Sequence, residues 1–234
     1  MFAVEDGHWW FAGKRRLVGV LLDALRLPAD ARILDVGCGT GGMFQLLRRY
    51  GSPVGVDQSE IALSFSRRRT LQVARAILPD LPFRDETFDL VTIFDVLYHR
   101  RVDDDVAAAR ELRRVLKPGG ALVVTDSALA FLRGAHDVAM HGARRYTTSE
   151  IRKKLTDAGF EVRRASYANC LLFPVAAPWR LLQRLTSREA HSDVAPAPAW
   201  VNRTLGGVYA TEAWLLRRMN LPIGTSIAAV ATKA

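Results

Sequence analysis

Six short apolar runs punctuate the chain before residue 168, at residues 33–36, 52–57, 71–77, 87–96, 121–125 and from 160 onward. Most are nearly continuous in Val, Leu, Ile, Phe and Ala, the pattern of strands covered on both faces. Between them the spacing changes to that of helices. Met43, Phe44, Leu46 and Leu47 open one helical stretch. A second runs from Ser59, a natural N-cap with Glu60 in the first turn, to Arg69. A third begins at the acid run Asp103-Asp104-Asp105 and continues to Leu116, where Lys117-Pro118-Gly119-Gly120 stops it. A fourth runs from Thr148 to Ala158 and is closed by Gly159. Strand and helix alternate, which predicts an α/β fold with a doubly wound, mostly parallel sheet.

The first strand leads into Asp35-Val36-Gly37-Cys38-Gly39-Thr40-Gly41-Gly42, with four glycines in six residues. Strand, tight glycine turn and helix bring backbone close to a ligand and aim free N–H groups at it. Gly37, Gly39 and Gly42 also satisfy G-x-G-x-x-G, so the loop alone does not name its ligand. Asp57 ends the next strand, 20 residues after Gly37, where an acid can accept both hydroxyls of a ribose. A nicotinamide enzyme fits these two features equally well.

The rest of the motif series narrows the choice. Asp35-Val-Gly-Cys-Gly-Thr-Gly, then Gly55-Val-Asp57, Leu81-Pro-Phe83, Phe88-Asp-Leu-Val91 and Leu116-Lys-Pro-Gly-Gly120 follow one another in order. Together they resemble the class I S-adenosylmethionine-dependent methyltransferases, in their broad "type 11" branch. The resemblance implies a seven-stranded, Rossmann-like methyltransferase fold, S-adenosylmethionine as cofactor, and methyl transfer to a small-molecule, sugar or lipid-linked acceptor. It places Asp35, Gly37, Gly39, Asp57, Gln58, Ile77, Leu78 and Phe94 around the cofactor. Similar enzymes carry an acid at the position of Ile77 to accept from the adenine amino group. Here adenine must rest on Ile77, Leu78 and backbone groups, or on Asp80 from nearby. Two rival classes are a dinucleotide-dependent oxidoreductase and a non-catalytic module that binds S-adenosylmethionine.

Beyond the fourth apolar run stand Tyr98 and His99, where relatives often carry Glu-His. A strand tip of this kind faces the reacting group, so His99 is the candidate base or substrate contact with Tyr98 beside it. A helix-capping histidine is the plainer reading. Periodicity fails from 127 to 146, which predicts a flap over the pocket. In it Arg144, Arg145 and Tyr146 are candidates to clamp an anionic or hydroxylated substrate, or to anchor the loop by salt bridges. The chain shows no metal site.

Residues 1–30 form a lead-in. His8-Trp9-Trp10-Phe11 and Lys14-Arg15-Arg16 precede a helical stripe that ends before Pro28. Its aromatics either pack on the sheet edge or, as the resemblance implies, the helix covers the cofactor and Arg15 meets its carboxylate. The core then comprises 31–168 and 223–234, with a last, antiparallel strand at 225–231. Residues 169–222 interrupt what would be a tight hairpin. Their helical stretches, the arginines at 180, 184 and 188, and the Ala/Pro-rich linker at 191–199 read in three ways. They form a lid that closes an apolar acceptor pocket over the carboxyl edge of the sheet, a face for a homodimer, or an amphipathic surface resting on a membrane.

Composition changes this picture little. The 234 residues, 49% hydrophobic, suffice for one domain with a cap. The net charge of +9 is spread through nearly every segment, which speaks against nucleic acid as the partner. Two cysteines without a framework, no signal-like amino terminus and no long apolar span predict a cytoplasmic protein.

Overall fold

The computed structural model describes residues 2, 4–69, 71–186 and 197–234. In chain order its elements are α1 (Trp9–Asp23), β1 (Arg32–Val36), α2 (Phe44–Leu47), β2 (Ser52–Asp57), α3 (Glu60–Arg68), β3 (Val73–Arg75) and β4 (Phe88–Phe94). Then come α4 (Asp105–Val115), β5 (Leu116–Ser127), α5 (Ala135–Ala139), α6 (Thr148–Asp157), β6 (Phe160–Ala168), α7 (Phe173–Thr186), α8 (Ala199–Arg218) and β7 (Ser226–Lys233). The strands form one seven-stranded sheet in the order β3-β2-β1-β4-β5-β7-β6. β7 runs antiparallel to both its neighbours, and the other pairings are parallel. The α/β expectation and the downstream partner strand are both met.

Alternation along the central strands divides the core. Leu34 of β1 with Leu122 and Val124 of β5 faces α4 and α6. Ile33 with Ala121 and Val123 faces α1 and α8. Side chains of successive strand residues point to opposite faces, so strands covered on both sides must be apolar at every position. Most of β4 is buried, and Leu90, Val91 and Ile93 are fully so. Each such side chain contributes about 1.5–3 kcal/mol of burial.

Local chemistry sets the ends. Ser59 caps α3 by accepting from Ala62 N at 3.2 Å, and Asp104 caps α4 from Val106 and Ala107. Thr147 and Glu150 form a reciprocal capping box on α6. Gly159, at φ +88°, ends that helix. Three spans differ from expectation. α2 is a single turn, because the chain turns back at Arg48–Gly51 to enter β2. β3 shrinks because Leu71 folds inward to pack with Cys38, Phe44 and Leu63. β5 begins at Leu116, since Leu116 already pairs with Phe88 and the glycine pair is absorbed into the strand.

The residues at 169–222 make α7 and α8; 187–196, with Arg188 and most of the linker, lie outside the described residues. α7 packs against a 3-10 turn, Ala130–Leu132, at the carboxyl end of β5. α8 lies elsewhere, alongside α1 and in the same sense. Asn202 Oδ1 accepts from Trp9 N at 2.9 Å, and Arg217 pairs with Asp23 at 2.9 Å. Gly13 lies under the Tyr209 ring, where an added Cβ would come within 2.4 Å of Cγ. Tyr209, Ala213 and Leu216 therefore bury their stripe on the sheet face shared with α1, not on its edge. Beneath α8 the buried Glu212 accepts from the backbone N–H groups of Asn169 and Leu171, which fixes the chain as it leaves β6. Burial holds its carboxyl above the usual range.

Candidate active site

The glycine loop is held by backbone and by one carboxylate. Gly37 N and Cys38 N donate to Val56 O at 2.8 and 3.0 Å. Gly37 has φ +74°, and a Cβ there would meet Val96 Cγ2 at 2.2 Å, so both conformation and space require glycine. Asp57 Oδ2 accepts from Gly39 N at 2.9 Å and Oδ1 from Ser59 N at 2.8 Å. This acid ties loop to strand tip, and each oxygen keeps a further lone pair. The segment before α1 closes over the outside of the loop. Glu5 is buried and takes the Thr40 hydroxyl at 2.7 Å and Arg69 Nη2 at 2.7 Å. Arg15 donates to the carbonyls of Glu5 and Asp6, bracing that segment.

In front of the loop opens a cavity of about 310 Å³. Gly37, Asp57, Gln58, Ile77, Leu78 and Val102 lie along it, with His99 and Arg101 on one side and Met140 and His141 of the flap above. Arg101 donates to Gln58 Oε1 at 3.2 Å. Asp35 lies below, 2% exposed, and accepts from the Thr92 hydroxyl at 2.8 Å. Burial raises its carboxyl to about 7, against the pull of that hydroxyl and of Lys14. Phe94 does not line the cavity; its ring belongs to the core under α1. Asp80 is likewise outside the lining and closes a bridge with Ile77.

His99 is half-buried at the cavity wall. Its Nδ1 accepts from Arg101 N at 3.2 Å, so the neutral ring carries its proton on Nε2 and offers a donor. Burial, the His141 ring at 5.8 Å and the nearby arginines lower its basicity. Tyr98 is buried, its backbone N–H donates to Asp126 Oδ2 at 3.1 Å, and burial pushes its phenol up. Asp126 is itself fully enclosed, and burial with the Asp95 charge holds its carboxyl well above the usual range.

A second, much smaller cavity, about 20 Å³, adjoins the first at Asp95, which lines both. Trp10, Lys14, Thr125, Asn169 and Ser226 surround it. Lys14 forms an ion pair with Asp95, whose φ of +55° turns it out of the strand direction. Asn169 donates to the Ser226 hydroxyl at 2.9 Å. The Thr125 hydroxyl is buried and finds no partner among the described residues.

The flap arginines serve the fold. Arg144 pairs with Asp105 at 2.5 Å, and Arg145 is buried in a fork on Asp137 at 2.8 and 3.1 Å with a third bond to Ala128 O. The Tyr146 hydroxyl donates to Leu97 O at 2.9 Å. None of the three lines either cavity, so the substrate clamp gives way to the loop-anchor reading. The reason is supply: each cation finds a buried acid inside the fold and has no further anion to seek.

Sequence reasoning passed over Lys14, Asp95, Thr125, Asn169 and Glu5. Two of them carried a signal, since Asp95 and Thr125 sit at carboxyl ends of adjacent parallel strands.

The family profile described as "Methyltransferase domain" matches residues 34–124. Demethylmenaquinone methyltransferase of Staphylococcus saprophyticus is 34% identical over 116 residues, 46% of this chain and 49% of that protein. The 2-phytyl-1,4-naphtoquinone methyltransferase of Synechococcus elongatus is 37% identical over 111 residues, 42% and 46% of the two chains. The chain thus spans about half the length of these curated relatives. Among solved structures, an S-adenosylmethionine dependent methyltransferase of Mesorhizobium loti superposes with a TM-score of 0.61 at 18% identity, covering 98% of this chain and 100% of that one. Phosphoethanolamine N-methyltransferase 2 of Haemonchus contortus gives 0.63 at 18% identity, over 93% and 52%. These likenesses establish the shared fold. The motif series from Asp35 to Gly120, the profile matched over residues 34–124 and the sheet order together support a class I S-adenosylmethionine-dependent methyltransferase.

Proposed function

We propose that the chain transfers a methyl group from S-adenosylmethionine, seated in the larger cavity, to an acceptor that meets it beside Asp95. The observation that carries this reading is that Asp95 lines both cavities. On one side lie a ribose-type acid and apolar walls; on the other lie hydroxyls, an amide and an unpartnered Thr125. The residues present suit the cofactor. Asp57 keeps lone pairs for two ribose hydroxyls, Ile77, Leu78 and Val102 offer flat apolar contact to a purine, and the loop presents backbone rather than side chains. The bound cofactor supplies a sulfonium methyl group open to in-line attack.

The protein's own work is alignment, exclusion of water and, where the acceptor must lose a proton, acceptance of it. Asp95, oriented by Lys14, is the carboxylate at the junction of the two cavities and the group placed to take that proton. His99 acts as a hydrogen-bond donor through Nε2 in this reading, and Tyr98 as a wall. The names of the two quinone relatives favour a small, lipid-soluble or lipid-linked acceptor. Calorimetry with S-adenosylmethionine and S-adenosylhomocysteine, followed by transfer of labelled methyl to prenylated naphthoquinols, tests the reading. Binding without transfer to any acceptor pool would mark a non-catalytic module; protection by a nicotinamide dinucleotide instead would mark the oxidoreductase.

A further inference from the structure

We infer that the smaller cavity takes a neutral hydroxyl of the acceptor, an alcohol or a phenol, and turns away carboxylates, phosphates and ammonium groups. The part this hydroxyl plays in methyl transfer rests on the proposed function; the binding preference itself does not.

Size sets the first limit. About 20 Å³ admits one oxygen atom, the space of a single water molecule, and no ring. The body of an acceptor therefore stays on the other side of Asp95, where the larger cavity begins. The walls come from chain segments that meet only here. Asp95 N donates to Thr125 O at 2.8 Å, which sets these two residues side by side. Thr125 stands two residues after Val123 on β5 and so points to the same face, toward α1. From α1, Lys14 reaches across to pair with Asp95. Ser226 begins β7, and Asn169 follows β6, its backbone N–H held by Glu212.

Donors and acceptors then select the ligand. Thr125 is 8% exposed, and its hydroxyl finds no partner among the described residues. A buried hydroxyl in that state costs stability, and a ligand oxygen restores the missing bond. Ser226 accepts from the Asn169 amide at 2.9 Å, which leaves its own proton to give. Asp95 supplies a carboxylate to the same lining. A hydroxyl answers all three, since its oxygen accepts from Thr125 or Ser226 while its proton goes to Asp95.

Charge excludes the rest. Among the described residues of the lining, only Lys14 and Asp95 are charged, and they pair with each other. The chamber is thus neutral as a whole. A carboxylate or phosphate would meet Asp95, and an ammonium group would meet Lys14. Either would give up its hydration without a free opposite charge to offset the loss.

The test is a ligand-observed NMR titration of the full chain at pH 7, in excess S-adenosylhomocysteine, with 2-naphthol, 2-naphthoate and 2-naphthylmethylammonium. The neutral alcohol is expected to bind at least tenfold more tightly than either ion. Thr125→Val should weaken 2-naphthol by about threefold to tenfold and leave 2-naphthoate and S-adenosylhomocysteine unchanged. It should not lower the thermal midpoint, because no bond within the fold is lost. Thr125→Ser should keep wild-type affinity for the alcohol, and Ser226→Ala should weaken it independently. Four results would overturn the proposal: 2-naphthol that does not bind, an ion that binds as tightly as the alcohol, a Thr125→Val chain with wild-type affinity for it, or one whose midpoint falls. Thr125-dependent binding of 2-naphthol by a chain that transfers no methyl group would sink the proposed function and leave the subsite standing; methyl transfer untouched by Thr125→Val would do the reverse.

Discussion

The two cavities that meet at Asp95 are built in opposite ways. The larger draws its defining groups from neighbours in sequence: Gly37, Gly39 and Asp57 belong to one strand–loop–helix–strand unit and are locked by backbone bonds. The smaller draws Lys14, Asp95, Thr125, Asn169 and Ser226 from five separate elements or loops. A local unit of this kind is specified by glycine geometry and one acid. An assembled one is specified by the packing of α1, β5, β7 and the segment pinned by Glu212. It follows that the first side tolerates change elsewhere in the molecule, while the second responds to it.

The sharpest way to break this contrast is at the junction. Asp95→Asn keeps a side chain that accepts a positive φ, and should preserve cofactor affinity while lowering turnover by about 10²–10⁴-fold. His99→Asn should cost less than that, because its free nitrogen is a donor. Steady-state rates with both variants decide between them, and a larger loss at His99 would return it to the role of base.

Asp35 tests the floor of the larger cavity through pH. Its native carboxyl titrates near 7, above the value of about 4 for an unfolded aspartate, so the native state holds a proton that the unfolded chain has released. The associated stability is present below about pH 4 and is lost as pH rises through 7. Asp35→Asn removes that dependence. Its stability relative to wild type should rise with pH, by about 2.5 kcal/mol between pH 5 and pH 8, as read from denaturant unfolding at the two values. A difference that does not change with pH would show that Asp35 is charged in the native state.

Two smaller substitutions separate the sides directly. Asp57→Ala should weaken S-adenosylmethionine by about 1–3 kcal/mol and leave the acceptor KM alone. Thr125→Val should do the reverse, raising the acceptor KM by the equivalent of about 0.5–1.5 kcal/mol with cofactor affinity unchanged. If Thr125→Val shifts neither constant, its hydroxyl does not face the acceptor.

The same division explains what could be read from the residues alone. β2 was legible to the residue, and the glycine loop and Asp57 stood out because glycine spacing and strand-tip acids leave local marks. Arg144 and Arg145 were legible as cations but not as anchors, since the outcome depends on Asp105, far upstream, and on the burial of Asp137. Lys14 left no mark at all, and Thr125 none beyond its place near a strand end. An ion pair 81 residues apart and an orphan hydroxyl exist only once the sheet and α1 have come together.

The side-by-side packing of α1 and α8 also bears on the order in which the chain folds. Trp9 and Asn202, joined by a hydrogen bond, are 193 residues apart. Domains form as their segments leave the ribosome, amino-terminal parts first. α1 therefore emerges early, yet part of its seat, the Tyr209 ring over Gly13, arrives only with α8. Until then the helix behind Glu5 and Arg15 exposes part of its apolar stripe and the glycine loop has no settled cover. Closure of that segment over the outside of the glycine loop thus comes late in synthesis, after α8 has emerged.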